Sequence, residues 1–160
     1  MENLTKEEAL VLGMSLQTVL IFSIIFAVIM IIAMWRIFSK AGKPGWHSII
    51  PFLNIYDLFD ICWKGSYGIL TILLGVVMGL ASRSAGFDEF GNQVGQVSPA
   101  WSAVMGIAAL IMFVLLIVQE YKLSKSFGHG FGFFLGLFLL EPLFLIILAF
   151  GNSRYIGKDR

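Results

Sequence analysis

Three acidic residues lie where an otherwise apolar sequence offers them no clear route to water. Asp57 and Asp60 stand three residues apart in a mixed segment that also contains Asn54, and Glu141 lies in the middle of the apolar run 131–150. A charged side chain at the centre of an apolar membrane costs roughly 2.5–3.5 kcal/mol on insertion scales, so such residues usually mark a pathway or a paired site. Asn54, Asp57, Asp60 and Glu141 are therefore the candidate residues for a substrate or ion pathway.

Glu141 leaves two interpretations open. Pro142 follows it, and a proline inside a helix frees a backbone carbonyl one turn earlier. In the first interpretation, Glu141 is a neutral acid that hydrogen-bonds Ser23, Thr71 or a carbonyl. In the second, Glu141 is a functional residue that contacts a group of the segment 46–63. Asp57 and Asp60 have no histidine or third carboxylate at a useful spacing, so we predict no metal site.

The composition indicates a bilayer as the solvent. Of the 160 residues 58% are hydrophobic and 13% are charged, whereas a soluble domain has about 45–50% and about 25%. This excludes a soluble enzyme and a disordered tail, and a net charge of +1 argues against a nucleic-acid partner. The single cysteine, Cys62, excludes an intrachain disulfide and a cysteine-based zinc site. We expect no cofactor.

Four apolar runs have about the length that a membrane helix needs. We predict an all-α integral membrane bundle, a single domain over 1–160, with an exposed loop at 83–100. The predicted spans cover residues 16–35, 67–82, 101–121 and 131–150.

The segment 46–63 decides between four spans and five. As a helix it is amphipathic, and its two aspartates make a crossing expensive, so we predict an interfacial or re-entrant segment. Four spans place six Lys and Arg residues inside and five outside, and five spans place seven inside and four outside. Charge counting therefore slightly favours the alternative of five spans, and the basic tail Arg154–Arg160 fits four spans poorly.

The loop after the first span sets the orientation. Three cations within eight residues place this loop in the cytoplasm and the N-terminus outside. The cations and a neighbouring aromatic are candidates for contact with lipid headgroups or a partner protein: Arg36, Lys40, Lys43 and Trp46.

Glycines at four-residue spacing allow helices to approach closely. They are candidates for a homo-oligomer interface, either through Gly128, Gly132 and Gly136 or through Gly75 and Gly79.

The run Lys40-Ala41-Gly42-Lys43-Pro44-Gly45-Trp46, continued by Ile49-Ile50-Pro51-Phe52-Leu53-Asn54, resembles the signature of a family of small, uncharacterised bacterial membrane proteins. The ending Leu148–Tyr155 is also similar to that family's close. The resemblance implies a multi-span protein of the bacterial inner membrane and no established activity. Members are sometimes labelled signal peptidase I, which the present residues do not support, since a Ser–Lys dyad would need a sizeable β-domain to carry it.

Three functions are compatible with these features. The first is a non-enzymatic membrane protein, a small transport or channel-like unit that works as an oligomer. The second is an accessory or regulatory module that binds a partner membrane protein or anionic lipid. The weakest is a membrane-embedded hydrolase, which would need His47, Asp57 and Asp60 to converge.

Overall fold

The computed structural model describes residues 6–84 and 99–158, and these residues are helical apart from short connections. The elements are α1 (Lys6–Lys40), a 3-10 turn (Gly45–Ile49), α2 (Pro51–Cys62), α3 (Gly65–Ser84), α4 (Pro99–Ser126), α5 (Phe131–Leu139) and α6 (Glu141–Phe150). No strand occurs in the described residues, so the all-α prediction is confirmed. Most of the predicted loop 83–100 lies outside the described residues.

Within residues 6–84 and 99–158, two helices are long and apolar enough to cross a membrane. They are Ser15–Lys40 within α1 and Trp101–Ser126 within α4, of 26 residues each. Their side chains are largely exposed: Phe22 is 67% exposed and Leu110 is 63% exposed. Water-soluble proteins rarely expose apolar patches this continuous, so the exposure agrees with a membrane location. These two helices alone do not confirm the prediction of four spans.

The buried core lies at one end of the bundle, which we call the core end. Its residues come from the last turns of several helices, including Phe38 of α1, Ile61 of α2, Leu123 of α4 and Leu148 of α6. The C-terminal ends of these four helices therefore meet.

The segment 131–150 differs from the prediction of a single helix. It forms two short helices, α5 and α6, which are separated at Leu140, where the backbone leaves the helical region (φ −134, ψ 48). Pro142 lies in the first turn of α6, where its missing N–H removes no helical hydrogen bond. The sequence of Glu141-Pro142 thus starts a new helix instead of bending an existing one.

The chain reverses direction between α5 and α6. The rings of Phe133 and Phe144 are 5.1 Å apart, although eleven residues of one straight helix would span about 16 Å. Beyond α6, the N–H of Ile156 donates to the carbonyl oxygen of Ser126 at 2.8 Å, and Ser153 Oγ lies 2.8 Å from His129 Nε2. The start of α5 and the end of α6 therefore both lie at the core end, and the two helices form a hairpin.

The predicted amphipathic segment 46–63 corresponds to the 3-10 turn and α2. Pro51 begins α2, in a position where its missing N–H removes no helical hydrogen bond. With 12 residues, α2 is about 18 Å long, which is too short to cross an apolar core of about 30 Å. Gly68 of α3 lies against the backbone of Tyr56, where an added Cβ would come within 3.0 Å of the Tyr56 Cα. This close packing holds α2 across the start of α3.

Candidate functional site

A cavity of about 270 Å³ lies between α1, α2, α4 and the α5–α6 hairpin. We call it the acidic cavity, because its polar lining includes two carboxylates. The polar side chains that line it are Ser48, Asn54, Gln119, Glu120 and Glu141. The remaining lining is apolar and comes mainly from methionines and leucines, including Met30, Met34, Leu137 and Leu145.

The hairpin places Glu141 at its turn, away from the core end, where it lines the acidic cavity and is also exposed at the surface of the described chain. Glu141 is the first residue of α6 and follows the nine-residue α5, so it lies about 13 Å from the core end along the helix axis. Glu120 comes from α4, six residues before the last residue Ser126, or about 9 Å from the same end. The two acids therefore reach the acidic cavity from different elements and at similar depth.

The 3-10 turn and α2 supply the other polar groups. The side-chain amide of Asn54 donates to the carbonyl oxygen of Ser48 at 3.2 Å, which joins α2 to the turn before it. Ser48 is only 5% exposed, and its Oγ has no hydrogen-bond partner among the described residues. The same is true of Glu120 Oε2. A buried polar atom without a partner costs about 1–3 kcal/mol, so both atoms are available to pair with a hydrogen-bond donor in the cavity.

The lining determines what the acidic cavity can bind. Within the described chain, neither Lys, Arg nor His lines it, and two carboxylates, two carboxamides and a hydroxyl do. Such a lining favours a positively charged or hydrogen-bond-donating ligand, because carboxylates accept hydrogen bonds and attract cations.

Asp57 and Asp60 do not line the acidic cavity. They belong to an ion-pair cluster at the core end, formed by Lys43, His47, Asp57, Asp60 and Lys158. Lys43 Nζ lies 3.1 Å from Asp57 Oδ1 and 2.7 Å from Asp60 Oδ2, and Lys158 Nζ lies 3.3 Å from Asp60 Oδ1. His47 Nδ1 contacts the other oxygen of Asp57. Of the four candidate pathway residues, the structure thus brings Asn54 and Glu141 together and places Asp57 and Asp60 elsewhere.

The pairing changes the acidity of two members of the ion-pair cluster. The hydrogen bond from Lys43 holds the pKa of Asp60 below its usual value, against an opposing effect of partial burial. Partial burial also acts to lower the pKa of Lys43, but its bonds to Asp60 and Asp57 outweigh that effect and raise the pKa. Both groups are therefore held in their charged forms.

Two of the basic residues predicted to contact lipid are engaged within the chain. Lys40 Nζ donates to the carbonyl oxygens of Leu148 at 2.7 Å and Gly151 at 2.9 Å, which caps the end of α6. Lys43 belongs to the ion-pair cluster. The Arg36 guanidinium lies 4.7 Å from the ring centre of Phe150, and Trp46 is 49% exposed. Arg36 and Trp46 thus remain at the surface.

The glycines predicted to form an oligomer interface differ in their surroundings. Gly128 lies in the turn after α4 with a positive φ of 78°, so it does not belong to the same helix as Gly132 and Gly136. Gly136 packs against the ring of Phe144 inside the hairpin, and a Cβ at Gly132 would meet nothing within 4 Å among the described atoms. On α3, a Cβ at Gly75 would lie 3.6 Å from Met112 of α4.

The two hydroxyls suggested as partners of Glu141 bond to their own helices. Ser23 Oγ donates to the carbonyl oxygen of Val19, and Thr71 Oγ1 donates to that of Tyr67.

Sequence analysis did not identify Ser48, Gln119 or Glu120 as members of the site. α4 continues to Ser126, so Glu120 lies six residues before the end of the helix and is partly buried. The feature of the sequence that could have identified Gln119 and Glu120 is that two adjacent polar residues follow a long apolar run.

Comparison with known proteins identifies one family. A model described as a family of unknown function (DUF5684) matches residues 46–158. The match includes the Ile49–Asn54 run and the Leu148–Tyr155 ending, and it begins after most of the Lys40–Trp46 run. No curated protein matches the chain, and no solved structure does. Since the matched residues make up more than half of its length, the chain belongs to the DUF5684 family.

Proposed function

We propose that the protein is a multi-pass membrane protein with three spans, α1, α3 and α4, and a re-entrant α5–α6 hairpin. Support comes from the ends of the elements: Lys40, Ser126 and Gly151 all lie at the core end. Because α4 ends and the tail begins at this same end, α5 and α6 must enter the membrane from one side and return to that side. This topology replaces the fourth predicted span.

The distribution of cations supports this arrangement and gives its orientation. The described residues contain ten Lys and Arg, and only Lys6, near the start of α1, and Arg83, at the end of α3, lie away from the core end. Eight lie at or near it: Arg36, Lys40, Lys43, Lys64, Lys122, Lys125, Arg154 and Lys158. Cytoplasmic loops carry such an excess, so we assign the core end to the cytoplasm of a bacterial inner membrane and the N-terminus to the outside. The basic tail, which the four-span prediction placed outside, then lies inside.

Within this membrane protein, we propose that the acidic cavity is the cation-binding site of a small transport unit. The observation that carries the proposal is that the hairpin brings Glu141 into the same cavity as Glu120. Backbone polar groups at membrane depth must be paired, and at the break the N–H of Leu140 donates to Gly136 while its carbonyl oxygen accepts from Phe144. Ionisable residues at that depth commonly mark ion or substrate pathways.

The test is electrogenic transport by the purified protein in liposomes on a solid-supported membrane. Concentration jumps of Na⁺, K⁺, H⁺ or n-butylammonium are compared with the same jumps on protein-free liposomes. We expect a current with at least one of these cations and its loss in Glu141→Gln. Asp60→Asn is the control, because it also neutralises an acid but lies in the ion-pair cluster outside the acidic cavity.

Absence of current with every cation would remove the transport function. The accessory or regulatory function would then remain, and it predicts co-purification with a larger membrane protein. A normal current in Glu141→Gln would remove Glu141 from the pathway.

A further inference from the structure

We infer that the acidic cavity binds a small primary ammonium ion, whose –NH₃⁺ group meets Ser48, Glu120 and Glu141 and whose short alkyl chain lies on the methionine and leucine wall. This inference rests on the proposed function for the choice of a cation and adds the chemical class of that cation.

The polar groups match the hydrogen-bonding capacity of an ammonium group. An –NH₃⁺ group has three donors and no acceptor. Ser48 Oγ and Glu120 Oε2 are buried acceptors without a partner among the described atoms, and Glu141 supplies a further carboxylate in the same lining. Ser48 is the independent indication of a ligand, since the residue is 95% buried, lines the cavity and has a hydroxyl without a partner among the described atoms.

The apolar lining and the size limit the rest of the ligand. Met30 and Met34 of α1 and Leu137 and Leu145 of the hairpin supply much of the apolar lining of the same cavity. A volume of about 270 Å³ corresponds to roughly nine water molecules, at about 30 Å³ each. A cation with a short alkyl chain fits within this volume and contacts the apolar lining, whereas a bare Na⁺ or K⁺ leaves that lining without contacts.

The lining also distinguishes the ammonium from other cations. Quaternary ammonium ions are recognised by aromatic faces, and the described lining of the cavity has no aromatic side chain. Structural divalent metal sites usually need several charged or imidazole ligands, and no three His, Cys, Asp or Glu side chains in residues 6–84 and 99–158 are grouped to hold a metal.

Calorimetric titration of the protein in lipid nanodiscs tests the assignment without any substitution. The probes are n-butylammonium, the neutral n-butanol, the anionic butyrate, tetramethylammonium, NaCl and KCl. We expect n-butylammonium to bind at least about tenfold more tightly than every other probe, since each of them lacks the ammonium donors or the alkyl chain. Equal binding of n-butanol, tighter binding of tetramethylammonium or the inorganic cations, or no binding of n-butylammonium would overturn the inference.

Substitutions then test the residues. Glu120→Gln and Glu141→Gln are each expected to weaken n-butylammonium binding about tenfold or more, and Ser48→Ala about threefold, because an ionised acceptor bonds more strongly than a hydroxyl. Asp60→Asn is expected to leave binding unchanged. Unchanged binding in both Glu variants would overturn the site. Binding without transport would disprove the transport function alone, and transport of Na⁺, K⁺ or H⁺ without n-butylammonium binding would disprove the ligand alone.

Discussion

Asp57 and Asp60 have cationic partners within hydrogen-bond distance, whereas no cation of the described chain lines the cavity of Glu120 and Glu141. Asp57 is 2% exposed, and removal of one partner from a buried pair typically costs 3–5 kcal/mol. These two aspartates therefore stabilise the turn between α1 and α2. Their charges are satisfied by the chain itself, and the acids available for a ligand are those of the acidic cavity.

At this scale we predict that Asp60 contributes to the loss of stability in acid. Its folded pKa lies below the unfolded value of about 3.9, so the pairing stabilises the protein above that pH and the contribution is lost as the pH falls through the folded pKa. Thermal unfolding in detergent from about pH 7 to about pH 2.5 is the measurement. At neutral pH, Asp60→Asn should lower the free energy of unfolding by about 0.2–1 kcal/mol and therefore lower Tm. In acid, the Tm of this variant should fall less than that of the unsubstituted protein.

Unfolding at alkaline pH tests the same ion pair through Lys43, the partner of Asp60. The folded pKa of Lys43 is raised, so its contribution is present below the unfolded value of about 10.4 and is lost as the pH rises through the folded pKa. Asp60→Asn should reduce this loss too. An acid and alkaline decline identical to that of the unsubstituted protein would contradict the pairing.

At the scale of the elements, the α5–α6 hairpin depends on close contact between its two helices. A Cβ on Gly136 would overlap the ring of Phe144, which also packs on Phe133. We predict that Gly136→Ala lowers the free energy of unfolding by about 1–3 kcal/mol, the usual cost of overpacking. Gly132→Ala is the control in the same helix, and it should change stability by less than about 0.5 kcal/mol.

Unfolding in mixed detergent micelles measures both variants. In a Phe144→Leu background the smaller side chain leaves room for the new methyl group, so Gly136→Ala should cost clearly less there. An equal cost in both backgrounds would mean that Gly136 does not contact Phe144.

The hairpin is also the element that sequence analysis could not derive. Residues 131–150 have the length and apolar character of one span, and two helices of nine and ten residues add up to the same run. The Glu141-Pro142 pair did indicate an interruption. Whether an interruption bends a helix or reverses it depends on contacts with distant residues, here Lys40 with the end of α6 and Ser126 with Ile156. Such contacts have no local signature.

Across the whole molecule, the apolar runs were sufficient for the all-α class, whereas α1 begins ten residues before the predicted span 16–35 and the run 131–150 forms two helices. For the candidate site, Glu141 and Asn54 were recognisable because a polar residue in an apolar run is conspicuous. Asp57 and Asp60 were equally conspicuous, but their partner Lys43 comes from the preceding turn and Lys158 from the tail. The ion pairs with residues distant in the chain distinguish Asp57 and Asp60 from the acids of the acidic cavity. Such pairs have no local signature in the sequence.

The chain suits a cysteine-labelling test of its topology, because its own cysteine is expected to be unreactive. Cys62 is 1% exposed, and burial raises the pKa of its thiol to about 12, so almost no thiolate forms at neutral pH. We predict that Cys62 reacts with a membrane-impermeant maleimide only after denaturation. Single cysteines at Asn92, in the connection between α3 and α4, and at Asn152, just after α6, then report two sides of the membrane.

These two positions distinguish all three topologies. With three spans and a re-entrant hairpin, Asn92→Cys is labelled in intact spheroplasts and Asn152→Cys only after lysis, because the tail returns to the cytoplasmic side. Four spans place both positions outside and predict labelling of both, and five spans place both inside and predict labelling of neither before lysis. The reverse pattern, with only Asn152→Cys labelled, would contradict the orientation that the cations indicate. Since the hairpin alone moves Asn152 to the inner side, the reactivity of this one position tests the feature that creates the acidic cavity.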